Sequence, residues 1–392
     1  MNRRPIVAQT VFSRGSDSGG IGPVLKGLTQ QLVSSSLADV RTYVPRYRHP
    51  KSDADWPGTL TEFGCLGPAK HCIDFNLWKR MKRDGIQLIH THGLWTCLSR
   101  NDLAWKRKTG RPYVVSPHGM TMPNALKYAR FKKGFVWSLW EKKHLNNAAC
   151  IHALSKFEAE SVRDLGITSP ICVISNGAEL PDLSVALELE NRGPSLPRKV
   201  QLVYLGRLHP IKGLDKLIRA WSLLTNQGRI GDRWQLVIAG WGEGGYDERL
   251  KKLCESEIRS GSIVFTGPLF GADKARLFRN ASGFVLPSTS EAFPMALLEA
   301  WSYGLPCLAT ETCRVIDDRY SNASLFVPGT VEGITAGLVK LLEMPTAERT
   351  AMGNLARKMV ATQFSWQTVA EEFAAVYRWA LGMDSKPNCV IL

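Results

Sequence analysis

The sequence predicts an α/β protein of two Rossmann-like domains facing a central cleft. Short apolar runs rich in β-branched residues alternate with helical patterns from the start, the signature of βα units and a parallel sheet. Midway the alternation stops in Pro-Asp, Arg-Gly-Pro and Leu-Pro punctuation, then begins afresh. The length of 392 residues also exceeds what one hydrophobic core supports.

Ile6-Val-Ala-Gln-Thr-Val-Phe12 reads as the first strand. A Gly-rich turn follows, then a helix with apolar spacing at Val24, Leu25, Leu28 and Leu32. Strands are expected at 87–90, 113–116, 150–154 and 171–175, with helices between them; the clearest helix runs 126–145. In the second half, strands are expected at 200–205, 235–239, 263–266, 284–286 and 307–309. Helices are expected at 214–224 and 248–258, and a strongly amphipathic one at 366–381. We place the domains at residues 1–178 and 200–364, with 179–199 as linker and 365–392 as C-terminal helix and tail. Ligands of such sheets sit at the carboxyl ends of the strands, so the cleft is the expected site.

The composition, 44% hydrophobic and 22% charged, is that of an ordinary globular protein. No apolar run approaches the ~20 residues that span a bilayer. The N-terminal segment lacks the cleavage pattern of a signal peptide. Nine cysteines without a CxxC pair read as reduced thiols. Together these features predict a cytoplasmic protein, peripheral to a membrane if it meets one.

The net charge of +15 calls for a partner. Lys79–Arg83 and Lys106–Lys108 are basic runs. A third cluster interleaves Lys127, Arg130, Lys132, Lys133, Lys142 and Lys143 with Tyr128, Phe131, Phe135, Trp137 and Trp140. Such a stretch suits an anionic membrane surface, and equally a solvated helix face over an aromatic core. No nucleic-acid-binding module is present, so nucleic acid is not an expected partner.

The most informative segment is Pro287-Ser-Thr-Ser-Glu291-Ala-Phe-Pro294-Met-Ala-Leu-Leu-Glu299. A strand ends in a loop carrying Glu291, Pro294 stands where helices begin, and Glu299 lies about a turn inside. A helix N-terminus at a strand's carboxyl end favours phosphate, through free N–H groups and the dipole. Two carboxylates framing it can accept hydrogen bonds from sugar and ribose hydroxyls. Arg207 and Lys212 follow the first strand of the second half. There they can stabilise the charge on a departing nucleoside diphosphate without metal.

These motifs resemble glycosyltransferase family 4, with its GT-B fold. The resemblance rests on Gly206-Arg-Leu with Lys212-Gly213, Ala239-Gly-Trp-Gly242, Phe265-Thr-Gly267, the E-x7-E pair Glu291/Glu299 and Tyr303-Gly-Leu-Pro306. In the first half it rests on Ser18-Gly-Gly-Ile21, His90-Thr-His-Gly93, Ser116-Pro-His-Gly119 and Ser175-Asn-Gly177. It runs over nearly the whole chain. It implies an N-terminal acceptor domain, a C-terminal nucleotide-sugar domain and a C-terminal helix that returns to the first domain. It further implies a retaining, metal-independent hexosyltransferase with no cofactor beyond the nucleotide-sugar co-substrate. Arg207 and Lys212 would hold the donor pyrophosphate, Glu299 the ribose, Glu291 the transferred sugar, and Leu269 would lie against the base. Gly19 and Gly20 would let backbone amides approach phosphate. His118 would face the reacting sugar; its alternative is a hydrogen-bonded core histidine. His90 and His92 read as structural. The expected acceptor is a lipid-linked saccharide in surface polysaccharide or lipopolysaccharide synthesis.

Some residues depart from the family pattern. Pro294 stands where glycine is common, Glu179 where aspartate often follows Asn-Gly, and 314–320 lack a glycine-bearing loop. Asp53-Ala-Asp55 has metal-binding letters but sits in a polar loop, so no metal site is expected. Cys389-Val-Ile-Leu392 has prenylation-type letters, read here as coincidence. A nucleotide-sugar epimerase of the same fold is the alternative enzyme, against which the motif set argues, and a basic nucleic-acid-binding protein, suggested only by charge, is the alternative class.

Overall fold

The computed structural model describes residues 4–14, 20–46, 56–68, 71–127, 129–183, 199–231, 233–242, 244–313 and 318–391. The chain divides into two compact units, Met1–Gly177 with Phe364–Leu392, and Ala178–Gln363.

In the first unit the strands are β1 (Ile6–Val11), β2 (Asp39–Pro45), β3 (Thr59–Phe63), β4 (Leu88–His92), β5 (Tyr113–Ser116), β6 (Cys150–Ala153) and β7 (Ile171–Val173). They lie in the order β7-β6-β5-β4-β1-β2-β3, all parallel. A parallel sheet is covered on both faces, so its central strands are apolar without alternation. Every residue of β4 and β5 is buried. β2 and β3 are not among the strands expected from sequence; they lie toward the edge, where burial is partial along β3. The order reverses between β1 and β4, which makes the ends of those two strands the switch point.

The second unit contains β8 (Val200–Leu205), β9 (Trp234–Ala239), β10 (Ile263–Gly267), β11 (Gly283–Leu286), β12 (Cys307–Thr310) and β13 (Leu325–Val327). Their order is β10-β9-β8-β11-β12-β13, again parallel, with the switch point between β8 and β11. Helix Leu214–Asn226 follows β8 and buries Leu214, Leu217, Ile218, Trp221 and Leu224, the stripe that a 3.6-residue period places on one face.

The C-terminal helix, Trp366–Ala380, returns to the first unit and packs on helix Ile21–Ser34. Val369, Phe373 and Tyr377 join Val7, Leu28 and Leu88 in one core cluster. Beyond the helix, Val390–Ile391 pairs antiparallel with β7. The tail that spells a prenylation-type motif is thus part of a sheet, with Val390 buried; Leu392 lies outside the described residues.

One ring fixes this return. A Cβ on Gly27 or on Gly177 would lie 2.5 Å from ring carbons of Trp366. The glycine of Ser175-Asn-Gly177 is therefore a packing residue, needed so that an indole can lie against the backbone. Gly177→Ala is expected to cost about 1–3 kcal/mol, the range of overpacking. Gly134→Ala, on an exposed helix face with nothing within 4 Å, should be neutral or slightly stabilising. Thermal midpoints of the two variants check this, and an unchanged midpoint for Gly177→Ala would contradict the packing.

The expected helix over 126–145 is broken into pieces. Pro123–Lys127 is one short helix, and Ala129, in the left-handed region at φ +55°, starts another at Arg130–Val136. One turn of π-helix, Trp137–Glu141, joins that to Lys142–Asn147. Such a turn inserts one residue and re-aims the side chains beyond it. Here it turns Glu141 into the core, where it is fully buried.

Candidate active site

In the second unit the residues singled out from sequence collect at the switch point. Gly206, Arg207 and Lys212 follow β8; Glu291 and Glu299 follow β11. The two loops are tied together: the Thr289 backbone N–H and hydroxyl both donate to the Ile211 carbonyl, at 2.8 and 2.9 Å. Gly213, with φ +64°, sits so close to the Pro287 carbonyl that a Cβ there would collide with it. This is the physical content of the Lys-Gly pair: the glycine lets the β8 loop reach the β11 loop, and the lysine rides on that contact.

Lys212 Nζ donates to Glu291 Oε1 at 2.5 Å, and the Ser288 hydroxyl donates to the same oxygen at 2.7 Å. Glu299 stands in helix Met295–Ser302, for which Pro294 is the N-cap. Lys274 Nζ donates to Glu299 Oε1 at 3.0 Å. Each carboxylate thus holds one lysine, and both pairs frame one helix N-terminus. Nothing in the local sequence marks Lys274, which comes from helix Gly271–Asn280. Arg207 is exposed and makes no ion pair among the described residues; its carbonyl accepts from the Tyr204 hydroxyl at 2.9 Å. Leu269 is half-buried just before that helix. Beside it Phe270, 64% exposed, stands 6.0 Å from the Trp241 ring.

In the first unit, Gly20 caps helix Ile21–Ser34 at the carboxyl end of β1, and a Cβ there would meet nothing within 4 Å. Gly19 lies outside the described residues, as do Asp53 and Asp55. His118 follows β5 with its backbone in the left-handed region, φ +52°, and Gly119 follows at φ +78°. Two such residues in succession are strained for a non-glycine. Glu158 holds them: its carboxylate accepts from Gly119 N at 2.5 Å and from Leu154 N at 2.8 Å. Glu158 is not among the site residues expected from sequence, because locally it reads as a capping-box glutamate behind Ser155.

The histidines form two groups. His152 Nε2 contacts the Ile174 carbonyl at 2.7 Å. A carbonyl only accepts, so Nε2 carries the proton. Nδ1 then accepts from the Ser116 hydroxyl at 2.7 Å, Ser116 accepts from His90 Nε2 at 2.6 Å, and His90 Nδ1 accepts from the Tyr377 hydroxyl at 2.7 Å. This fixed chain makes His90 and His152 structural and anchors the C-terminal helix by Tyr377. His92 is different, because its Nδ1 lies 2.9 Å from His118 Nε2. Burial pushes all four imidazoles down, His118 to about 3 and His152 to about 4, and neighbouring histidines add to this for His90, His92 and His118. His118 is therefore neutral near pH 7, able to give or take a hydrogen bond but not to supply charge.

A second network lies deeper. Asp102 Oδ2 accepts from the Thr91 hydroxyl at 2.6 Å and meets His144 Nε2 at 2.9 Å; His144 Nδ1 meets Glu141 Oε1 at 3.0 Å. Glu141 also accepts from the Ser99 hydroxyl at 2.9 Å and from Trp95 N at 3.3 Å. All three titratable groups are fully buried.

Comparison with known proteins fits this arrangement. Residues 18–180 match the model "Glycosyltransferase Family 4", and residues 188–359 match "Glycosyl transferases group 1". The chain is 29% identical over 178 residues to the O-antigen chain mannosyltransferase B of Escherichia coli, covering 45% of each chain, so it spans about half that relative's length. It is 24% identical over 293 residues to the lipopolysaccharide 1,6-galactosyltransferase of Salmonella typhimurium, covering 71% of each. Among solved structures, the sucrose-phosphate synthase of Thermosynechococcus elongatus superposes with a TM-score of 0.74 at 17% identity, over 97% of this chain and 100% of that one. Both halves carry the family's pattern in order, and the chain belongs to the group 1 and family 4 glycosyltransferases, with the GT-B fold.

Proposed function

We propose that this glycosyltransferase moves a hexose, with retention, from a nucleoside-diphosphate-hexose to a lipid-linked glycan of surface polysaccharide or lipopolysaccharide synthesis. The observation that carries the donor half is the frame of Glu291, Glu299, Lys212 and Arg207 around one helix N-terminus at a switch point. A diphosphate suits the helix end and the two cations, and hydroxyls suit the two carboxylates.

In the reaction the sugar–phosphate bond breaks, and the acceptor oxygen bonds the anomeric carbon on the same face. The acceptor proton passes to the departing phosphate. Arg207 and Lys212 stabilise the leaving charge without metal. Glu291 and the neutral His118 orient the sugar, and Glu299 holds the ribose. For Lys212 to reach phosphate it must share or leave Glu291, so donor binding exchanges one partner of that pair. Leu269 and the exposed Phe270 offer the base an apolar face, and Gly20 opens the other helix end to phosphate.

The relatives' activities, on O-antigen and on lipopolysaccharide, support the acceptor class. No helix among the described residues is long and apolar enough to cross a membrane. We propose that the enzyme docks on the cytoplasmic face of a membrane through the cations and aromatics of 127–143. There Phe131, Phe135 and Leu139 are 94, 67 and 54% exposed. Rings and cations together suit an anionic lipid surface, at about 1 kcal/mol per cation.

A thermal-shift screen against common nucleoside-diphosphate sugars identifies the donor, because a ligand that binds only the native state raises the midpoint. With that donor, Glu299→Ala is expected to weaken binding about tenfold or more in calorimetry, the order of a lost charge-assisted bond. Unchanged affinity would remove the ribose role.

A further inference from the structure

A groove of about 600 Å³ opens on the first unit, lined by helices Leu77–Arg83 and Leu98–Thr109 and by the stretch that carries Leu139 and Trp140. We propose that it binds the phosphate headgroup of a membrane lipid, with Arg100 on the phosphate and Asn101 and Trp140 on headgroup hydroxyls. The proposal rests on the membrane docking argued above and gives it a site.

Two signs carry it, and Arg100 with the charges around it is the first. The Arg100 guanidinium lies 5.6 Å from the Phe75 ring centroid and 5.7 Å from that of Trp140, so two aromatic rings hold it. It makes no ion pair among the described residues, which leaves its fork of donors for an anion. The charges around it are one-sided: Lys106, Arg107 and Lys143 line the groove, against Asp74 alone. Asp74 already accepts from Asn76 N at 2.8 Å within its own turn.

The polar atoms are the second sign. Asn101 is only 5% exposed, and its side-chain oxygen has no hydrogen-bond partner among the described residues. Its nitrogen reaches only the Met81 sulfur, at 3.8 Å. The Trp140 indole N–H, also buried, has no partner either. One unpaired acceptor and one unpaired donor beside a held guanidinium is what a hydroxyl-bearing phosphate ester completes. The volume suits a headgroup and falls in the ordinary range for small-ligand sites.

The source is a bilayer rather than a free phosphate ester. Phe75 is 61% exposed at the groove, and Phe131 and Phe135 project from the helix that leads into it. A soluble ligand would leave those rings in water, whereas a lipid brings the interface they fit.

The test compares phosphatidylcholine vesicles carrying equal fractions of phosphatidylglycerol or phosphatidylserine, at low salt. The wild type is expected to bind the phosphatidylglycerol vesicles on the order of tenfold more tightly, since both carry one net charge but only the glycerol headgroup presents two hydroxyls. Asn101→Leu and Trp140→Phe should each abolish that preference and keep the salt-sensitive binding common to both lipids. Arg100→Gln should weaken both. Should Asn101→Leu not fold, Trp140→Phe carries the test, because it removes the other unpaired group. Equal binding of both vesicles by the wild type, or a preference that survives the two variants, overturns the groove while leaving membrane docking intact. Binding of neither vesicle sinks the docking itself. Binding of free glycerol 3-phosphate, read as a raised thermal midpoint, with no vesicle binding, overturns the lipid as source.

Discussion

Replacing Arg207 or Lys212 by alanine is expected to lower turnover roughly 100-fold or more, the scale of removing a preorganised charge stabiliser. The two losses should look different in the free protein. Arg207 is exposed and unpaired among the described residues, so Arg207→Ala should leave the thermal midpoint where it was. Its whole effect then belongs to the bound state. Lys212 sits 2.5 Å from Glu291, which also accepts from the Ser288 hydroxyl. Lys212→Ala therefore also frees a carboxylate that is proposed to face the sugar, and donor affinity should change along with turnover. Because both cations are proposed to act on one diphosphate, the double variant should fall short of the product of the single effects. Steady-state kinetics with the donor from the thermal-shift screen, beside melting curves, separates these outcomes. Near-full activity in both single variants would remove the phosphate assignment.

The loops that carry Arg207, Lys212, Glu291 and Glu299 were legible in the sequence because each follows an apolar run, and a parallel strand must be such a run. β2 was not, since Asp39-Val-Arg-Thr-Tyr-Val-Pro mixes charge with burial near the sheet edge. The helix expected over 126–145 has the right period through most of its length, yet Ala129 turns left-handed and a π turn interrupts the rest. Periodicity measures the spacing of apolar residues and is blind to one inserted residue. The long-range contacts that hold these residues and their neighbours were hidden for another reason. Lys274 reaches Glu299 across 25 positions, Glu158 reaches the Gly119 amide across 39, and Tyr377 reaches His90 across 287. Such pairs leave no local signature. Gly177 shows the converse: in the sequence it stands only as part of the Ser175-Asn-Gly177 motif, and the fold uses it as a seat for Trp366.

His92 stands between the two kinds of residue. Alternation along β4 makes it look structural, yet the end of β4 is a switch point, and there it touches His118. Its Nε2 has no partner among the described residues. The left-handed backbone at His118, the Glu158 clamp on Gly119 and the His92 contact all restrain one imidazole. That is how a candidate site residue is held when its own loop does not favour the geometry.

His144→Ala should destabilise the first unit by about 3–5 kcal/mol, because it strands Asp102 and Glu141 as buried carboxylates without a cation. For a unit of this size each kcal/mol is about 2–4 °C of midpoint, so a fall on the order of 10 °C is expected. Removing one carboxylate instead, by Asp102→Ala, should cost a comparable amount and leave the Thr91 hydroxyl only its Thr10 partner, at 2.8 Å. The pH dependence gives a signature that a mere cavity would not. Burial alone would push the His144 imidazole down, but hydrogen bonds to Asp102 and Glu141 and their charges hold it up to about 9. Its folded pKa therefore lies above the ordinary value of about 6.5. The stability it contributes is fully present below about 6.5 and is lost as pH rises through about 9. His90, His92, His118 and His152 run the opposite way, since their pKa values are pushed down and the stability they lend fades as pH falls below about 6.5. Wild type should thus weaken on both sides of neutrality, whereas His144→Ala should lose the slope between about pH 6.5 and about pH 8 and keep the acid one; above that range the buried thiols, pushed up by burial, give both proteins an alkaline slope. Melting curves collected from about pH 5 to about pH 8, below the range in which the buried thiols contribute, decide it. An unchanged slope above about pH 6.5 in the variant would mean that His144 is not the charged centre of this network.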